Sequence, residues 1–176
     1  MSGIIDEIRA EHRMKTRLLS LLEGEMEAFA RGKRPDFELV RDVIDFLSEW
    51  GAKCHHPREE ALLGALAERD PAARKAIGEL EVVHGRLAGQ LANMATAISS
   101  ILMEVETSRE AFVAMARNYL GRQKDHLAIE ENVLLPMAER ALSPQEAERL
   151  ARETAPDEEC LRLARLGKLL RATEEA

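Results

Sequence analysis

Apolar side chains return every three to four residues over long stretches of this chain, and the stripes break at only a few places. Ile5, Ile8, Leu19, Leu22, Met26 and Phe29 share one face of a helix running from about Ile4 to Ala30, and "RGKRPD" ends it. Asp36 is placed to cap a second helix with Val40, Ile44, Leu47, Leu62 and Leu66 on its stripe, closing near "ERDP". Pro57 falls inside that helix, and because proline lacks a backbone donor, a bend or loosening is expected near Lys53. Asp70 and Pro71 open a third helix, to about Glu104, whose apolar face carries Ile77, Leu80, Leu87, Leu91, Met94 and Ile98. Thr107 and Glu110 have capping-box spacing and start a fourth, with Phe112, Tyr119, Val133 and Met137 on its stripe, reaching about Leu142. Two shorter helical patterns follow. The spacing therefore predicts an all-α fold: an up-down-up-down four-helix bundle over residues 1–142, with residues 143–176 as a C-terminal helical extension packed on or next to it.

Composition agrees with that picture and narrows the function classes. The chain has 176 residues, 45% of them hydrophobic, enough for one domain with a core, while aromatics at 3% disfavour a sheet. A formal charge of -7 excludes a basic nucleic-acid footprint, so no nucleic-acid partner is expected. No apolar run approaches the ~18 residues of a membrane span, and nothing near Met1 has the form of a signal peptide, so a cytoplasmic protein without a membrane partner is expected. Cys54 and Cys160 are too few and too dispersed for a disulfide framework or a CxxC zinc site, and both are expected as reduced, buried thiols. The chain has neither a glycine-rich phosphate loop nor a nucleophile elbow.

The histidines change the picture most. His12, His55, His84 and His126 lie one on each long helix, each on or beside its apolar stripe. At a rise of about 1.5 Å per residue, following the chain up and down the bundle brings the four to heights of roughly 12, 10, 8 and 12 Å, within one turn of a common level. Glu59 follows His55 by four residues and Glu130 follows His126 by four, so each pair presents an imidazole and a carboxylate on one helix face. Four neutral imidazoles and two carboxylates suit a pair of borderline divalent cations, with the carboxylates offsetting part of the charge. Without metal, Glu59 and Glu130 would be costly buried anions. His56 and Glu60 sit about 100° round the helix from His55 and Glu59 and are expected in the surrounding shell or at the surface. Glu131 and Asn132 have the same expectation, and Tyr119, two turns before His126, is placed to reach the site or to pack in the core.

These motifs resemble the hemerythrin-like HHE cation-binding family. "EHR" in the first helix, "HHPREEALL" in the second, a lone histidine in the third and "HLAIEENVLLP" in the fourth match its pattern in order and spacing over roughly residues 4–142. The resemblance implies a four-helix bundle holding two non-haem iron ions through His12, His55, Glu59, His84, His126 and Glu130, with zinc or another divalent metal as the alternative. It departs from the oxygen-carrying members in two places. They have HxxxH in the third helix where this chain has Ala88 four residues after His84, and HxxxxD at the end where this chain has Glu130. Both departures speak against reversible oxygen carriage.

The expected function is therefore a di-iron protein that binds or reacts with oxygen, nitric oxide or peroxide in sensing or stress response. A redox enzyme for peroxide or nitric oxide, or one repairing iron centres, is the alternative. A helical interaction bundle stapled by a structural metal is the third. The C-terminal helices are the expected route to a homo-oligomer.

Overall fold

A computed structural model of the chain describes residues 3–103 and 108–172. It contains α1 (Ile4–Ala30), α2 (Phe37–Trp50), α3 (His56–Ala67), α4 (Pro71–Leu102), α5 (Arg109–Ile129), α6 (Leu135–Ala141), α7 (Pro144–Glu153) and α8 (Glu158–Ala172). A π-helical turn at Gly51–His55 joins α2 to α3, and a second at Glu130–Leu134 joins α5 to α6, so each pair forms one long, interrupted rod. The four rods are an up-down bundle in which α1 packs on α5, α2 on α4 and α4 on α5.

Local chemistry explains the ends. Gly32 takes a left-handed φ of 81° after α1. The Asp36 side chain accepts from the Leu39 N–H to cap α2. The cap expected at Thr107 lies outside the described residues; Ser108 accepts from the Ala111 N–H at the start of α5. Ser143 and Glu146 form a reciprocal capping box on α7.

Both π turns lie just ahead of a proline, Pro57 and Pro136. A proline frees the carbonyl one turn earlier, and the wider turn accommodates that loss. The first lies where Pro57 was expected to loosen the second helix. The second corrects the expected stripe of the fourth helix: the additional residue in its turn shifts the register, so Leu134 and Leu135 are buried while Val133 is 48% exposed.

The apolar core divides into two clusters. One contains Leu18, Leu22, Ile44, Phe46, Leu91, Phe112 and Tyr119. The other contains Ile4, Ile8, Leu62, Leu66, Leu80, Leu134 and Ala138. In chain position the buried polar residues His12, Lys15, His55, Glu59 and Glu130 fall between them, and Gln123 and His126 lie close to the same boundary, just ahead of Leu127.

The C-terminal helices close over this bundle, α7 against α1 and α8 against α1 and α2. A Cβ at Gly167 would come within 2.7 Å of Phe46 Cζ, so only glycine permits this approach of α8. The structure also corrects the expectation of free thiols: Cys54 and Cys160 are joined in a disulfide, with Cα atoms 5.6 Å apart. Their separation of 106 residues hid the pairing, because only the return of α8 alongside the first π turn brings them together.

Candidate metal centre

His12 is the hub of the buried polar layer. Its Nδ1 donates to Glu131 Oε1 at 2.6 Å, while Nε2 lies 3.1 Å from Glu59 Oε1 and 3.5 Å from Glu130 Oε2. His55 repeats the arrangement, with Nδ1 donating to Glu11 Oε2 at 2.8 Å and Nε2 facing Glu59 Oε1 at 3.1 Å. On the other side, His84 Nε2 and His126 Nε2 lie 3.0 Å apart, and His126 Nε2 is 3.0 Å from Glu130 Oε1. The rings are correspondingly close, His12 and His55 edge to face at 5.1 Å and His84 and His126 at 4.7 Å.

All six residues expected at the site thus come together. Among the described residues, three overlapping groups have donor atoms within 4.8 Å of one another and could hold a metal ion: His12, His55 and Glu59; His56, Glu59 and His84; and His84, His126 and Glu130. Glu59 belongs to the first two groups and His84 to the last two.

The π turns and Pro57 rearrange the neighbours that a regular helix would have placed. His56 is not a surface group, for its ring stacks on His84 at 4.2 Å with 14° between the planes. Glu60 is exposed and Tyr119 lies within the apolar core, so neither joins the three groups. Of the two positions expected for Glu131, the structure places it in the surrounding shell, where it takes the outer nitrogen of His12. Glu11 does the same for His55 and is held in turn by Arg58, which also pairs with Glu7. Trp50 stacks on the His55 ring at 4.8 Å. None of these supports was legible as periodicity. The adjacent acids of "EE" after His126 and the buried arginine inside "HHPREE" were their only traces.

Electrostatics define what the layer lacks. Carboxylates are acceptors only, and an imidazole that donates from Nδ1 turns a lone pair inward from Nε2. His12 and His55 both do so towards Glu59, which leaves acceptors facing acceptors unless a proton or a cation lies between. Consistently, His55 Nε2, Glu59 Oε2 and both Glu130 oxygens are buried without a hydrogen-bond partner among the described residues. Burial pulls the His55 imidazole down, but the Glu59 charge and the bond to Glu11 outweigh it and raise it to about 9. For Glu59, burial is outweighed by the His55 charge and the close approach of the His12 and His55 rings, which hold the carboxyl well below its usual range. Burial, with His84 nearby, presses His56 down to about 3, so it is a neutral imidazole with a free lone pair. Bringing a cation into such a donor set removes its conflicts at once.

A groove of about 310 Å³ between α4 and α5 reaches His126. Leu80, Val83, Leu87 and Ile129 line it, with Arg86 and Arg122 among its charged residues.

A helical bundle with clustered, buried histidines and glutamates defines a candidate binuclear metal-binding protein, consistent with a non-haem di-iron or other divalent metal centre. The Hemerythrin HHE cation binding domain profile matches residues 3–138. The chain belongs to that family. No curated protein and no solved structure matches it significantly. No helix among the described residues is long and apolar enough to cross a membrane.

Proposed function

We propose that the protein holds two iron ions, one at His12, His55 and Glu59 and one at His84, His126 and Glu130, and that it reacts there with a small ligand in sensing or stress response. The observation that carries this reading is the inward-facing set of unpartnered donors, His55 Nε2, Glu59 Oε2 and both Glu130 oxygens, backed by outward hydrogen bonds from His12 and His55. Glu131 and Glu11 fix the tautomers of those imidazoles and make Nε2 the better donor. Glu59 and Glu130 lie between the two groups and are suited to bridging.

Iron there supplies redox chemistry and exchangeable positions for oxygen, nitric oxide or peroxide. Four imidazole nitrogens and four carboxylate oxygens fall short of the roughly twelve places in two octahedral shells. That shortfall favours a reactive centre over a closed structural staple. The groove at His126 supports access from solvent. Redox turnover of peroxide or nitric oxide, or donation of iron for repair, would use the same open positions.

Leu161, Leu166 and Leu169 leave apolar side chains exposed on α8, which supports self-association through that helix. Light scattering on the intact chain tests it.

The deciding experiment loads the protein anaerobically with ferrous iron, confirms the metal content, and records the absorption spectrum on adding oxygen, nitric oxide or peroxide in turn. A change with at least one of the three is expected. Fully loaded protein that responds to none would leave the structural staple in its place.

A further inference from the structure

The Cys54–Cys160 disulfide braces one half of the candidate centre. Cys54 immediately precedes His55 in the first π turn, and Cys160 lies on α8. α8 packs on α1 and α2, in the two rods that supply His12, His55 and Glu59, whereas His84 and His126 come from α4 and α5. A second connection runs beside the covalent one. α8 approaches Phe46 at Gly167, Phe46 stacks on Trp50 at 5.7 Å with 11° between the planes, and Trp50 stacks on the His55 ring at 4.8 Å. All three rings are buried. Close-packed interiors transmit displacement, so the position of α8 bears on the His55 imidazole through both connections.

Both cysteines also line a cavity. A groove of about 480 Å³ is bounded by Cys54 and Cys160 together with Trp50, Lys53, Pro57 and Arg58. Cys54 is 6% and Cys160 9% exposed, so the bond is shielded from a large reagent while the groove is roomy enough for a small one. The noncovalent hold on the start of α8 is thin. Leu161 is exposed, and the Lys53–Glu159 ion pair is about half exposed, where such pairs contribute little. Breaking the disulfide therefore removes the main tie between this end of α8 and the turn that presents His55.

We propose that this groove is a thiol-exchange site: a small thiol entering it opens Cys54–Cys160, and the opening weakens metal binding at His12, His55 and Glu59 more than at His84, His126 and Glu130. Only the second half of the inference rests on the metal-centre reading. The thiolate of the small molecule attacks one cysteine sulfur, the S–S bond breaks, and the other cysteine leaves as a thiolate that takes up a proton. A second thiolate attacks the mixed disulfide and releases the remaining cysteine, which is protonated in turn. Two small thiols are thereby oxidised to their disulfide, and the same two electrons reduce the protein disulfide to two thiols. His55 keeps its bond to Glu11 throughout, so metal binding on its side is weakened and not abolished.

The test starts from metal-free, full-length protein under native conditions. Dithiothreitol, which carries both thiols in one small molecule, is added, free cysteines are trapped with iodoacetamide and counted by mass, and circular dichroism is followed alongside. Both cysteines are expected to become free while the chain stays helical, and hydrogen exchange is expected to quicken in α8 and at Gly51–His55 but not in α4 and α5. Reduced protein, freed of dithiothreitol anaerobically, is then loaded with ferrous iron against a chelating dye. One metal equivalent is expected to bind about tenfold more weakly and the other as before, with full recovery on re-oxidation. The double variant Cys54→Ser with Cys160→Ser, which has no thiol to bind iron, is expected to match the reduced chain. A bond that opens only where the chain unfolds overturns the proposal, as does unchanged affinity for both equivalents or an equal loss of both. Should the double variant not fold, the reduced wild type decides. Oxidised wild type that takes up no metal overturns the metal-centre reading, and the exchange site then stands or falls on the thiol count and hydrogen exchange of the metal-free chain.

Discussion

His12 Nδ1 donates to Glu131 Oε1 across 2.6 Å, and this bond ties α1 to the π turn that joins α5 to α6. It turns the other ring nitrogen towards Glu59 and Glu130. Glu131→Gln keeps the shape but removes the charge that orients the ring. Metal affinity is expected to fall about 10- to 100-fold with helicity unchanged, as measured by competition with a chelating dye. Glu11→Gln, acting on His55, is expected to behave alike.

Removing a donor has a larger effect than removing its support. His84→Ala, His126→Ala and His55→Ala are each expected to lose most of one metal equivalent. His56→Ala should lose much less, because His56 is stacked flat on His84 and lies outside both proposed three-residue sets. Metal analysis after gel filtration checks this, and equal losses from His56→Ala and His55→Ala would show that the second-helix assignment is wrong.

Protons compete with metal at His55. Its imidazole is raised to about 9 in the folded chain without metal, so below that pH it carries a proton that a cation must displace. Raising the pH therefore favours the metal-bound form. Apparent affinity at that site is expected to climb about tenfold per pH unit between roughly 6.5 and 9, then level off. Isothermal titration in buffers of different ionisation heat should also detect proton release near pH 7.

Metal that binds only the folded chain stabilises it by mass action, by about 2.7 kcal/mol at a hundredfold excess over the dissociation constant. Chelation should lower the melting temperature while leaving the far-ultraviolet circular dichroism helical, since the two apolar clusters are buried independently of the site. An apo protein with a coil-like spectrum would contradict that division of labour.

The C-terminal helix is held by one covalent bond and one close approach. Cys160→Ser opens a cross-link spanning 106 residues, and on the loop-entropy account about 4–5 kcal/mol of stability is lost. Thiol titration of the denatured wild type, prepared without reductant, should find no free cysteine. Gly167→Ala should cost about 1–3 kcal/mol, because the new methyl meets the ring of buried Phe46. Denaturant midpoints measure both.

The fold was largely legible in the sequence, because helix formation and bundle packing depend on short-range periodicity. The stripe from Ile5 to Phe29, the stop at "RGKRPD" and the restart at Pro71 sit in the chain as written, and the observed helices follow them. The clustering of the four histidines with Glu59 and Glu130 was legible for a related reason, since each HxxxE pair is a local spacing on one face and a fixed rise per residue carries four histidines to one level. What surrounds them was decided by tertiary structure alone. The second π turn shifts register by one residue, which no periodicity count contains, and so Val133 turns outward. Glu11, Arg58, Glu131 and Lys15 look like ordinary helix-surface charges until their neighbours are in place, because burial of a polar side chain depends on what packs over it. Cys54 and Cys160 meet only because α8 folds back over the bundle. A contact between residues 106 apart depends on the path of the whole chain and leaves no mark on either local segment.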